Sequence, residues 1–164
     1  MSKVIIGIDP GAKGFLCACN PDNNTRAYIS IADSTKAEIA HFLRDNAIAQ
    51  DCVVVMEEVH AVFGSSAKGT FNFGEIFGFL QGLAVAYDIP YHLVPPKDWQ
   101  KEIWINADRV YKSGKQIDTK QTSFNAALRL FPNIDFRKNE RCKNLDDNKV
   151  DATLIAEYGR RRNL

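Results

Sequence analysis

Lys-Val-Ile-Ile-Gly-Ile-Asp-Pro-Gly-Ala-Lys-Gly, residues 3–14, is the stretch on which the fold turns. From Val4 to Ile8 every residue is Val, Ile or Gly with no helical period, which reads as a buried strand over residues 3–9. Pro10-Gly11-Ala12-Lys13-Gly14 makes a turn, and residues 15–19 return as the next strand. A second turn, Asn-Pro-Asp-Asn-Asn at 20–24, leads into a third strand over 26–31, so three strands form an antiparallel meander. Asp9 ends the first strand. Asp-Pro-Gly is a common turn, so a carboxylate there is either a turn-maker or a ligand at the sheet surface.

Downstream, the pattern changes to strands alternating with helices. Thr35 and Glu38 form a capping-box signature, and Ile39, Phe42 and Leu43 supply the apolar face of a helix ending near Asp45. Residues 52–57 are a second buried strand, closed by Glu57 and Glu58. Strand side chains alternate, so only one of those two glutamates can share a face with Asp9. Gly-Ser-Ser-Ala-Lys-Gly at 64–69 reads as a mobile loop, and a helix is expected over 71–87. Gly74, Gly78 and Gly82 lie four apart along that helix. Such a stripe costs helix propensity and admits the close approach of another backbone, as on a self-associating or helix-packing face.

Residues 91–94 give a fifth strand, and Pro95-Pro96 breaks into a short helix holding Trp99. Residues 105–117 are polar and read as a loop; Asp118 or Thr119 caps a helix over 120–131, ended by Pro132. After a basic, irregular stretch, Asp146 or Asp147 starts a last helix that Ala152, Ile155, Ala156 and Tyr158 bury. The pattern is that of an α/β or α+β sheet packed by helices. At 164 residues it is expected to be a single domain spanning 1–164.

Composition narrows the class further. No apolar run reaches membrane-spanning or signal-peptide length, so a cytoplasmic protein with no membrane partner is expected. Cys17 and Cys19 point to one side of a strand while Cys52 and Cys142 lie far away, which reads as free thiols. Charge is divided unevenly: residues 1–96 carry 6 Lys/Arg against 10 Asp/Glu, and residues 97–164 carry 15 against 10. The basic C-terminal part suits a phosphate backbone or a solvated surface equally well.

Asp147 and Asp151, four apart, share one face of the last helix. Asp147 has an ordinary role as a helix cap, but Asp151 precedes Ala-Thr-Leu-Ile-Ala and faces inward. An inward carboxylate needs a partner, and a divalent cation shared with Asp9 would be one. Asp146 falls off that face, and Asn148 could contribute an oxygen.

These pieces resemble, in order and over nearly the whole chain, the RuvC family of Holliday-junction resolvases of bacteriophage type, within the RNase H-like superfamily. The stretches are Ile-Gly-Ile-Asp-Pro-Gly-Ala-Lys-Gly at 6–14, Met-Glu-Glu-Val-His-Ala at 56–61 and Phe-Asn-Phe-Gly-Glu-Ile-Phe-Gly at 71–78. They continue with Val-Pro-Pro-Lys-Asp-Trp-Gln-Lys at 94–101, Ala-Ala-Leu-Arg-Leu-Phe-Pro at 126–132 and Asp-Asn-Lys-Val-Asp-Ala-Thr-Leu-Ile-Ala-Glu-Tyr-Gly at 147–159.

The resemblance implies an RNase H-like α/β fold: a five-stranded mixed sheet, three strands in an antiparallel meander plus two parallel strands, flanked by helices. It implies that Asp9, Glu57 and Asp151 are catalytic metal ligands. The fourth acid departs from the pattern. Several relatives place it three residues before the last aspartate, where Asn148 stands; Asp147, on nearly the same face, is preferred. Lys120 resembles a lysine held near the scissile phosphate, Lys101 and Lys68 are expected to contact DNA, and Phe63 matches an aromatic wedge inserted at the junction.

The implied chemistry is hydrolysis of a phosphodiester by two Mg²⁺ ions about 3.5–4 Å apart, with Mn²⁺ able to substitute, leaving 5′-phosphate and 3′-hydroxyl ends. The implied partners are a four-way junction or other branched DNA and a second copy of the chain in a two-fold homodimer, with helix 71–87 at its interface. Two alternatives share the acids: an RNase H-like nuclease for other branched DNA or RNA–DNA hybrids, and a junction-binding protein that does not cut. An actin-like or sugar-kinase ATPase also opens with Gly-Ile-Asp-x-Gly, but needs a second domain and a second Asp-x-Gly turn.

Overall fold

The computed structural model of the chain describes residues 3–22, 24–49, 51–59 and 66–164. Its strands are β1 (Val4–Asp9), β2 (Phe15–Asn20), β3 (Thr25–Ser30), β4 (Cys52–Glu57) and β5 (Tyr91–Val94), ordered β3-β2-β1-β4-β5 in one sheet. β1, β2 and β3 pair antiparallel as a meander, while β4 and β5 add to β1 in parallel. The expected five-stranded mixed sheet is the observed one. β1 is continuously apolar because it lies at the centre, with strands on both edges and helices on both faces.

The strand alternation sorts side chains into two cores. Val4, Ile6, Ile8, Val54 and Met56 face a cluster completed by Leu43, Leu80 and Ala84, from α1 (Lys36–Ala49) and α2 (Ala67–Ala86). Ile5, Val53 and Val55 face the other cluster, with α3 (Pro96–Ile103), α4 (Thr119–Leu130) and α5 (Asp147–Arg162). By the same parity Asp9 and Glu57, at the ends of β1 and β4, both belong to the α5 side.

α5 sits unusually close to the sheet. A Cβ at Gly7 would run into the Ala152 carbonyl oxygen and the Ala156 amide nitrogen. One at Gly159 would come within 2.7 Å of a Val55 methyl and 2.8 Å of an Ile5 methyl. Held between the sheet and α3 and α4, the helix is buried almost all round, from Val150 through Ala156, Glu157 and Gly159. Tyr158, expected to be buried, is half-buried. The Glu157 carboxylate takes hydrogen bonds from Arg160 and Arg161 at 2.7–2.9 Å.

Several boundaries differ from the sequence reading. α1 continues past Asp45 to Ala49, since no Gly or Pro interrupts it and Asn46 bonds back to the Phe42 carbonyl. The expected loop at 64–69 is a helix from Ala67 onward, because the Ser66 hydroxyl accepts the Gly69 N–H at 3.1 Å and caps it; residues 64 and 65 lie outside the described residues. The 105–117 loop holds a 3₁₀ turn, Asn106–Asp108, whose buried Asp108 carboxylate takes two bonds from Arg129 of α4, at 2.8 and 2.7 Å.

Asp118 is the cap of α4 and Asp146 the cap of α5, which makes Asp147 the first helical residue. Among the described residues the glycine stripe of α2 packs against nothing: a Cβ at Gly74, Gly78 or Gly82 would meet no described atom within 4 Å. Its reading as an intramolecular helix-packing face is therefore wrong.

Gly7→Ala is expected to destabilise the fold by about 1–3 kcal/mol or more, because the added methyl must push α5 off β1. Urea denaturation followed by circular dichroism measures it; an unchanged midpoint would mean that the helix does not sit at this distance.

Candidate active site

Three elements remote in sequence deliver carboxylates to one place. β1 carries Asp9 at its C-terminal end, the parallel neighbour β4 carries Glu57 at the corresponding end, and the first turns of α5 carry Asp151. Parallel pairing brings the ends of β1 and β4 level, and the seat of α5 on Gly7 holds Asp151 over them.

The groups sense each other strongly. Burial, followed by the charge of Glu57, raises Asp9 to about 7, against one opposing bond from the Gly11 amide at 3.3 Å. Burial, then the charge of Asp9, holds Asp151 well above the usual carboxylate range. Glu57 is also raised by burial. Asp147 adds its charge against both Asp9 and Asp151, and Asp146, although it is the helix cap, adds to the pressure on Asp9.

A neutral donor holds one of these acids in place. The Trp99 indole nitrogen, fully buried on α3, donates to Glu57 Oε2 at 2.8 Å. The buried Ser123 of α4 partly offsets the rise at Asp151, whose Oδ1 is buried with no hydrogen-bond partner. The sequence carries no signal for either Trp99 or Ser123, since a Trp or Ser within a largely polar helix does not show what it faces. Asp147 is half-exposed at the rim, where it pairs with Lys120 Nζ at 3.1 Å. Among the described residues this is the one ion pair made by any of the four acids.

Asn148 points away, its amide 3.4 Å from Asp146 Oδ1. Glu58 lies just past β4, its N–H bonded to the Val94 carbonyl. Lys101 and Lys68 are exposed, on α3 and in the first turn of α2. Phe63 lies outside the described residues.

Crowded carboxylates with an orphaned buried oxygen are the donor set that a hard divalent cation satisfies. As they stand, no three His, Cys, Asp or Glu side chains among the described residues form a group that could ligate one ion. The acids thus converge in electrostatic field rather than in shared coordination.

No protein-family model matches the sequence, and no curated protein matches it. Solved structures do. Thermus thermophilus RuvC in complex with a Holliday junction substrate is similar over 97% of this chain and 96% of its own, at 14% identity and TM-score 0.54. A second T. thermophilus RuvC structure is similar over 98% of this chain and 96% of its own, at 13% identity and TM-score 0.55. The fold is RNase H-like, of the RuvC type. The likeness covers nearly the whole of this chain and is one of fold.

Because the folded state raises the proton affinity of Asp9 and Asp151, it binds more protons than the unfolded chain between roughly pH 4 and pH 7. Their contribution is therefore most favourable below pH 4 and is lost as pH rises through the folded values. In a chelator, the unfolding free energy should fall between pH 5 and pH 8 by a few kcal/mol, at about 1.4 kcal/mol per tenfold change in proton affinity, and the thermal midpoint should fall with it. Asp9→Asn should flatten that fall and melt above wild type at pH 8. A midpoint that rises with pH in both proteins would contradict the crowding.

Proposed function

We propose that this chain is a structure-specific DNA endonuclease that resolves four-way junctions, its 164 residues forming one nuclease domain that acts in the cytoplasm. The observation that carries the reading is the buried Asp151 Oδ1, without a hydrogen-bond partner, in a carboxylate that feels the charges of Asp9 and Glu57 within a RuvC-type fold. Asp9, Glu57 and Asp151, with Asp147 at the rim, would hold Mg²⁺ or Mn²⁺. Bound there, the cations would polarise the phosphate and make a water nucleophilic at neutral pH.

The chain's own residues do the rest. Partial burial weakens the screening of these acids by water, so their charges act on one another more strongly than they would at an open surface. Trp99 holds the Glu57 carboxylate in place as a neutral donor. Lys120, held beside the site by Asp147, would offset charge developing on the scissile phosphate, leaving 5′-phosphate and 3′-hydroxyl ends. Lys101 on α3 and Lys68 on α2 offer positive charge to flanking phosphates, and Phe63 is the candidate wedge.

Purified protein with Mg²⁺ or Mn²⁺ should nick a synthetic four-way junction in preference to Y-shaped DNA, linear DNA or an RNA–DNA hybrid. Asp9→Asn and Asp151→Asn should each lose about a hundredfold or more in cutting while still shifting the junction in a gel. Tight binding with no cutting by wild type under either ion would leave a junction-binding protein, and preferred cutting of the hybrid would leave a ribonuclease.

A junction is cut on two strands, which calls for a two-fold dimer. The exposed face of α2 suits that role by its open glycine stripe and by Phe71 and Val85, 72% and 64% exposed. Gly78→Arg should convert a dimer into a monomer in sedimentation velocity without lowering the thermal midpoint. A dimer that survives the arginine would place the interface elsewhere.

A further inference from the structure

We propose that Trp99 is a positioning residue that aims the Glu57 carboxylate for cation binding, an inference that rests on reading Glu57 as a metal ligand. The glutamate stands at the last residue of β4, where the strand no longer restrains its side chain from both sides. Three torsions separate its carboxylate from the backbone, so a defined ligand position requires something to select one rotamer. The Trp99 Nε1–H at 2.8 Å from Oε2 supplies that selection and occupies one of the two carboxylate oxygens, leaving Oε1 for another partner.

The donor itself is rigidly held. Trp99 is 0% exposed. Its ring meets that of Trp104 edge-on, with centroids 6.0 Å apart and planes at 78°. Pro95 and Pro96 set the start of α3 only three residues before it, and Ile103, fully buried, closes the same helix. An indole has one N–H and no acceptor, so the bond can run only from tryptophan to carboxylate.

The chemistry of the donor also fits the task. A lysine or arginine in this place would neutralise the carboxylate and compete with an incoming cation. The neutral indole orients the ligand while leaving its charge in place, as partners behind metal ligands do. The bond matters in both directions, since without Glu57 a buried indole N–H would be left unsatisfied.

The test measures Mn²⁺ binding to the free protein by electron paramagnetic resonance of unbound Mn²⁺, using wild type, Trp99→Phe, Glu57→Ala and the double variant. Trp99→Phe should bind Mn²⁺ about tenfold more weakly. In the Glu57→Ala background the same change should have no further effect. In junction cleavage, Trp99→Phe should need more Mg²⁺ for half-maximal kcat, recover at high Mg²⁺ and keep its KM for DNA.

Equal Mn²⁺ affinity in wild type and Trp99→Phe, or an equal loss with and without Glu57, would overturn the proposal. Wild type that binds no Mn²⁺ would remove the ligand reading of Glu57 and this inference with it. Mn²⁺ binding that obeys the cycle without any DNA cutting would instead sink only the nuclease reading.

One measurement needs no substitution. The chain has two tryptophans, and the Trp99 indole N–H resonance of the wild-type protein should shift as Mg²⁺ saturates the site. A Trp99 resonance that stays put through saturation would count against the proposal even if Trp99→Phe fails to fold.

Discussion

The approach of α5 to β1 is the constraint on which the rest of this structure depends. Two glycines, Gly7 on the strand and Gly159 on the helix, remove the methyl groups that would otherwise hold the surfaces apart. The helix is then clamped along its length. Thr153 shares a hydrogen bond with Tyr28 of β3 at 3.1 Å, and Lys149 caps the carbonyls of Asp135 and Arg137. At the far end Arg161 donates to the Glu102 carbonyl of α3 at 3.3 Å, while Arg160 and Arg161 neutralise Glu157 within the helix itself. So placed, Asp151 feels the charge of Asp9.

That arrangement is electrostatically unfavourable, and the fold tolerates it for a reason visible in the core. Each aliphatic side chain fully removed from water contributes about 1.5–3 kcal/mol. Val4, Ile5, Ile6 and Ile8 of β1 alone, all at most 4% exposed, outweigh the few kcal/mol that carboxylate crowding costs. The central strand that carries Asp9 is thus also the one best able to hold it in an unfavourable environment. Strain of this kind is what a cation or a phosphate-bound cation can relieve, which ties the instability of the site to its proposed chemistry.

Much of the site was legible because period alone governs it. The alternation of β4 puts Glu57 on the α5 side by parity, whereas the helical repeat does not remove Asp146 from the site, since as the cap of α5 its charge still reaches Asp9. Elements dominated by aliphatic runs or strong turns, such as β1, β2 and β5, also fall where expected. One local feature was missed, the Ser66 cap of α2, because its neighbourhood is rich in glycine and serine. Illegible were the features that need a partner from elsewhere in the chain. Asp108 is an interior residue only because Arg129 comes to meet it. The donor Trp99 lies 42 residues from the acid it holds, and nothing in its own neighbourhood marks it.

The sequence by itself determined the five strands and their order of appearance, because each depends on contacts within a few residues. Only the tertiary structure decided that Asp151 feels the charge of Asp9 and both feel that of Glu57, that Asp151 keeps an oxygen without a partner, and that a neutral donor aims Glu57. It also showed the α2 glycines open rather than packed against the other described residues. Desolvation and charge repulsion act through space between groups more than a hundred residues apart in the chain. No local pattern can encode their strength until the helix has been laid on the strand.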